Sequence, residues 1–261
     1  MNEIVEIEWW RLVAAYAFLV IVLIITWKQG IGREKEIFIS ALRMTVQLLV
    51  MGYVLVAVFD INHFLLSLGV LGLMELFAIY NVYQRIKVKI SRKLKTVIAF
   101  SMLLGTGLPI LYFLIVVINI EPWWEAQYLI PIAGMLIGNS MTGIALGAER
   151  LVNGMRAQKD TVEGALMLGA TPYIASRPVV NGAFNAATMP VINSMMGMGI
   201  VFLPGMMTGQ ILSGVSPLVA IEYQIAIMLG LLGSVSLTVF TLMHFGYKTF
   251  FNQDAQLVDM D

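Results

Sequence analysis

The chain has no cysteine and only two histidines among 261 residues. Disulfides, thiolate metal sites and cysteine nucleophiles are therefore excluded. Charge is scarce as well. Asp, Glu, Lys and Arg make up 12% of the residues, where a soluble domain carries about 25%. These charges sum to zero, so the whole molecule offers no field to attract nucleic acid. No G-x-x-x-x-G-K-[ST] run occurs, which excludes ATP binding by that loop. No Ser-His-Asp or metal-hydrolase constellation is present either, so the chain is not expected to act as an enzyme. Its first acidic residues, Glu3, Glu6 and Glu8, are unlike the basic start of a signal peptide, and the first apolar segment reads as a retained span.

Apolar residues are what the sequence has in excess: 59% of the chain, with a mean hydropathy of +0.85. A run of roughly 20 apolar residues crosses the hydrocarbon core of a bilayer. Seven segments qualify: about 9–27, 37–58, 64–83, 97–120, 127–148, 184–212 and 219–247. The fifth is rich in small residues, and the sixth is overlong and interrupted by Pro190 and Pro204. The predicted fold class is all-α, a polytopic membrane protein of about seven transmembrane helices. Residues 1–250 read as one permease domain and 251–261 as a polar, frayed tail.

Lys and Arg set the orientation. Loop 28–36 holds Lys28, Arg33 and Lys35; loop 84–96 holds six cations; loop 149–183 holds Arg150, Arg156, Lys159 and Arg177. Loops 59–63, 121–126 and 213–218 hold none. The N-terminus is thus expected outside and the C-terminus in the cytoplasm. Trp9, Trp10, Trp123 and Trp124 fall at the outer interface, as an aromatic belt requires.

The longest cytoplasmic loop carries E-G-A-L-M-L-G-A-T-P, Glu163 to Pro172. Glu149 to Leu168 reads as one helix, Gly169 as its stop, Thr171 as an N-cap and Pro172 as the first residue of a second helix. Val162, Ala165, Leu166 and Leu168 crowd one side of the first. Two readings compete: an amphipathic helix on the membrane surface, or a helix presented to a soluble partner. Many ABC importer permeases carry E-A-A-x-x-x-G in such a loop, where it docks on the ATPase. Glu163, Ala165 and Gly169 keep that spacing, with Gly164 at the first Ala.

Three further stretches extend the likeness: R-M-T-V-Q-L-L-V-M-G-Y-V-L from Arg43, I-P-I-A-G-M-L-I-G-N-S-M from Ile130, and the run from Met198 to Ile225. With Leu168 to Pro172 they resemble the FetB-type permeases, iron exporters of the ABC class. The resemblance covers almost the whole chain. It implies a permease subunit of the plasma (bacterial inner) membrane, paired as a homodimer with two soluble ATPase subunits in a 2+2 complex. It also implies that ATP is used by the partner and that this chain binds no cofactor. Plant relatives are linked to aluminium tolerance and nucleotide-sugar transport, so the family name leaves the substrate open.

Polar groups inside the spans are the candidates for a transport pathway. Arg43 and Glu75 lie at similar depths, roughly 9 and 12 Å from the basic side at 1.5 Å per residue. An ion pair between them is feasible, as gate or as structural lock, and Gln47 sits one turn from Arg43. Asn139, Ser140 and Thr142 in span five, and Asn185, Asn193, Ser194 and Gln210 around span six, either bond between helices or line a pathway. Met189, Met195, Met196, Met198, Met206 and Met207 either pack adaptably or offer soft ligands suited to Cu(I) rather than iron. Iron prefers carboxylate or imidazole, for which only Glu75, Glu222, Asp60, His63 and His244 stand out. No metal ligand set follows. A secondary, ion-coupled transporter using Glu75 or Glu222 is the competing function.

Overall fold

The computed structural model describes residues 8–258; Glu3, Glu6 and the last three residues lie outside that range. Among the described residues the structure is helical throughout, with two isolated bridges in place of strands. The helices are α1 (Trp9–Ala15), α2 (Ala17–Lys28), α3 (Glu34–Ile61), α4 (Phe64–Arg85), α5 (Arg92–Tyr112), α6 (Ala126–Ala157), α7 (Lys159–Met167), α8 (Pro172–Gly197), α9 (Gly205–Leu212) and α10 (Pro217–Gly246). Six helical stretches are long and apolar enough to cross a membrane: Trp9–Lys28, Glu34–Ile61, Phe64–Arg85, Arg92–Val117, Ala126–Ala157 and Pro217–Phe250. The expected seventh is α8 together with α9. Asn181, Asn185 and Asn193 lower the apolarity of α8, and it falls short of the other six.

The chain forms two compact units. The N-terminal unit runs to Asn62 and takes in Leu212–Gly214. Its helices α2 and α3 pack together, and the Tyr16 hydroxyl is hydrogen-bonded to Thr45 Oγ1. Gly30 and Gly32 turn the chain between them with φ of 62° and 72°, a backbone region open mainly to glycine. Thr26 and Val58 are the buried residues of this unit's helices; the rest of its side chains lie at least partly open.

The larger unit, His63–Ile211 and Val215 onward, is a bundle with α6 and α10 at its centre. Side chains cap the starts of α5 and α4. Ser91 Oγ accepts from Leu94 N–H at 3.1 Å, and His63 Nδ1 accepts from Leu65 N–H at 3.3 Å. Close helix approach rests on small residues, since lipid supplies no hydrophobic drive between helices. A Cβ on Gly105 would overlap the backbone of Thr238, and one on Gly143 would come within 2.8 Å of Val235 Cγ1. A buried polar clasp joins three helices. Ser140 and Ser234 hydroxyls lie 2.9 Å apart, and Ser234 Oγ donates to the Gly105 carbonyl at 3.0 Å. Ser140 thus bonds between helices, one of its two expected uses.

Ring contacts fix the two ends of this bundle. Phe64, at the start of α4, meets Trp123 and Trp124 edge-on, just before α6. At the opposite end a cavity of about 520 Å³ is bounded by Tyr83, Lys89, Ser91, Lys95, Arg156 and Thr249. The basic loops after α4 and α6 and the end of α10 therefore share one end.

Four expectations need correction. Glu149–Leu168 is not one helix: α6 continues past residue 148 to Ala157, and α7 starts after Gln158, whose φ of −108° and ψ of 21° leave the helical region. Pro190 does not interrupt span six. α8 passes through it, and the chain breaks instead between Gly197 and Gly205. Leu168 does not share one side with Val162: Val162 is buried and Leu168 is 91% exposed, the helix ending at Met167. The tail is folded as far as Val258. Phe251 is buried and bridges Leu257, and Asn252 Oδ1 accepts from Asp254 and Gln256 N–H.

Candidate functional site

The α7–turn–α8 segment lies at the basic end, and its turn is built from local chemistry. Gly169 N–H donates to the Leu166 carbonyl at 2.9 Å, and Ala170 N–H donates to the Ala165 carbonyl at 3.0 Å. These two bonds are a Schellman stop, and Gly169 holds the φ of 90° that it needs. Thr171 then caps α8, its Oγ1 accepting from Ile174 N–H at 3.4 Å, with Pro172 in the first turn. Val162 is buried, and Ala165, Leu166 and Ala170 pack against the core. Glu163 and Gly164 are half-buried. A Cβ at Gly164 or Gly169 would meet nothing within 4 Å, so the notch at Ala165 and Gly169 is open. Met167, 86% exposed, and Leu168 form an apolar tip, flanked by exposed Tyr173 and Ile174. Tyr173 rests edge-on against Tyr247 at the end of α10. Sequence periodicity misplaces Leu168 and gives Met167 no role.

The polar residues within the spans fall into two groups. Asn181, Asn185, Met189, Asn193 and Met196 recur every three or four residues on α8 and are all exposed. That spacing puts them on one face. On α6, Asn139 is exposed and donates to its own helix at the Met135 carbonyl, 2.9 Å away, and Thr142 receives Arg85 Nη1 at 3.4 Å. Met206 packs partly against the core, and Gln210 is half-buried. Glu75 belongs to the other group. It is 7% exposed, its Oε2 accepts from Thr106 Oγ1 at 3.1 Å, and its Oε1 is buried without a hydrogen bond among the described residues. Arg43 and Gln47 are exposed, four residues apart on α3. They belong to the N-terminal unit and Glu75 to the larger one. Asp60, His63, Glu222 and His244 are exposed. No group of three His, Cys, Asp or Glu able to hold a metal ion occurs among the described residues.

Sequence reasoning missed the surroundings of Gln224. This buried amide donates to Met198 Sδ at 3.8 Å, beside a cavity of about 390 Å³ bounded also by Met195, Met207 and Met228. The spacing of Gln224 and Met228, one helical turn apart, was the available signal.

Six apolar helices, a belt of tryptophans and a basic opposite end define a multi-pass membrane protein. The chain belongs to the uncharacterised protein family UPF0014, which matches residues 9–251. It is 33% identical to the UPF0014 membrane protein slr1647 of Synechocystis sp., over 98% of this chain and 99% of that one. It is 35% identical to the protein ALUMINUM SENSITIVE 3 of Arabidopsis thaliana, over 94% and 88% of the two chains. It is 33% identical to the probable iron export permease protein FetB of Escherichia coli, over 95% and 93%. No solved structure matches it.

Proposed function

We propose that this chain is the transmembrane subunit of an ABC transporter that exports metal ions, iron among them, from the bacterial cytoplasm across the inner membrane. A separate soluble ATPase would dock on the α7–α8 tip. Two permeases and two ATPases would form the complex, with the Asn and Met face of α8 toward the pathway. The observation that carries this reading is the tip itself: exposed Met167 and Leu168 beside an open notch at Gly169, at the basic end of the bundle. A relative named as an iron export permease supports the cargo. The basic loops support an outside N-terminus, with α8 as the sixth of seven spans. Single cysteines at Ser91 and Ser216 would then label from opposite sides of intact cells, and labelling of both from outside would overturn this topology.

The deciding experiment co-expresses the chain with a candidate ABC ATPase subunit. Gly169→Val forces a branched residue into positive φ, and Glu163→Lys reverses a charge on the docking helix. Each should retain normal melting of the membrane domain, yet co-purify less ATPase and lose at least tenfold in Fe(II) transport into vesicles. Normal co-purification and transport in both would sink the docking role. Buried Glu75 favours a second reading, a proton-coupled secondary transporter. Transport driven by a pH gradient without any ATPase, abolished by Glu75→Gln, would establish that alternative.

A further inference from the structure

Where α8 ends, the backbone is tied in a fixed turn. Gly199, at φ 83°, donates its N–H to the Phe202 carbonyl at 3.0 Å, and Val201 N–H donates to the Gly197 carbonyl at 3.0 Å. Met198 sits within this turn. Beside it opens the cavity of about 390 Å³ bounded by Met195, Met198, Met207 and Met228, which come from α8, the turn, α9 and α10. Met207 is 7% exposed and Met228 8%. Gln224 is the one polar side chain on the wall, and its amide nitrogen is aimed at a thioether sulfur. No carboxylate or imidazole lines the cavity.

We infer that this cavity is a binding site for a soft monovalent cation, Cu(I) or Ag(I), held by thioether sulfurs. Neutral sulfur donors select soft ions and leave Fe(II), Zn(II) and Mg(II) poorly served. The apolar wall acts in the same direction. By Born scaling a monovalent ion loses about a quarter of the hydration energy that a dication of like radius loses on entering such a place. The turn at Gly199 holds Met198 in position whether or not an ion is present. α8 runs 26 residues from the basic end to this turn, about 39 Å at 1.5 Å per residue, so the cavity lies toward the opposite end of the bundle. Calling the bound ion cargo rests on the export reading above; binding itself does not.

The test uses the full chain in detergent with Ag(I), which is not redox-active in air. Equilibrium dialysis with elemental analysis should find one Ag(I) per chain, and X-ray absorption should show sulfur neighbours. Met198→Leu combined with Met207→Leu should weaken binding at least tenfold. Met44→Leu, on an exposed face of the other unit, should not change it, and excess Zn(II), which does not react with Ag(I), should not compete. If the double variant melts early, Met228→Leu alone should still weaken binding. Ag(I) uptake that ignores these substitutions, or no stoichiometric uptake, overturns the site while leaving the ABC reading intact. Loss of ATPase association with Ag(I) binding retained would do the reverse.

Discussion

In the most apolar stretches of Trp9–Lys28 and Glu34–Ile61, 6% of the residues are buried within the chain; in Ala126–Ala157 and Pro217–Phe250 the shares are 56% and 50%. Apolarity does not separate these pairs. Small residues do. α6 and α10 carry Gly143, Gly147, Ser140, Ser234 and Thr238 at their contacts, whereas a Cβ on Gly52 of α3 would meet nothing within 4 Å. Inside a bilayer an apolar surface is content against lipid, so burial requires shapes that let backbones approach. The bundle has those shapes. The N-terminal unit leaves broad apolar faces for lipid or another chain.

The contrast can be broken most severely in the bundle. Gly105→Val has no room beside the Thr238 backbone and should destabilise by about 3 kcal/mol, the upper part of the usual overpacking cost, seen as early melting in detergent. An unchanged melting temperature would mean that the α5–α10 contact is looser than the structure shows. The smallest change is Gly52→Ala. With open space around it, the gain is no more than about 1 kcal/mol of helix propensity, and a loss would show that an unseen neighbour packs there.

Local chemistry was the most legible part of the sequence. Gly169, Thr171 and Pro172 take their expected places because caps and stops are decided by a few adjacent residues. Six of the expected spans match helices to within a few residues at most ends. The miss at residue 148 has a plain cause. Glu149 and Arg150 end the apolar run, but a helix does not stop where apolarity does. Pro190 misled because proline breaks helices in soluble proteins; here α8 continues past it, and Ser194 Oγ donates to its carbonyl at 2.9 Å. Of the methionine cavity the sequence carried only the Gln224–Met228 spacing, since Met195 and Met228 are brought together by the packing of α8 and α10.

The unbroken length of α6 has a mechanical consequence. Its 32 residues, Ala126–Ala157, make a rod about 48 Å long at 1.5 Å per residue, where the hydrocarbon core is about 30 Å. Pro131 lies in its second turn and lacks an N–H to donate there; beyond it the helix runs on to Ala157, and the chain leaves the helical region at Gln158, where α7 begins. A push on α7 therefore acts on a lever arm. A tilt of about 5° about one end of a rod that long sweeps the other end by about 4 Å, more than the width of a bare metal ion. At Gly143, Gly147 and Gly154 the side chains of Val235, Met243 and Val179 fill the space a Cβ would need, so a moving rod would carry these neighbours with it.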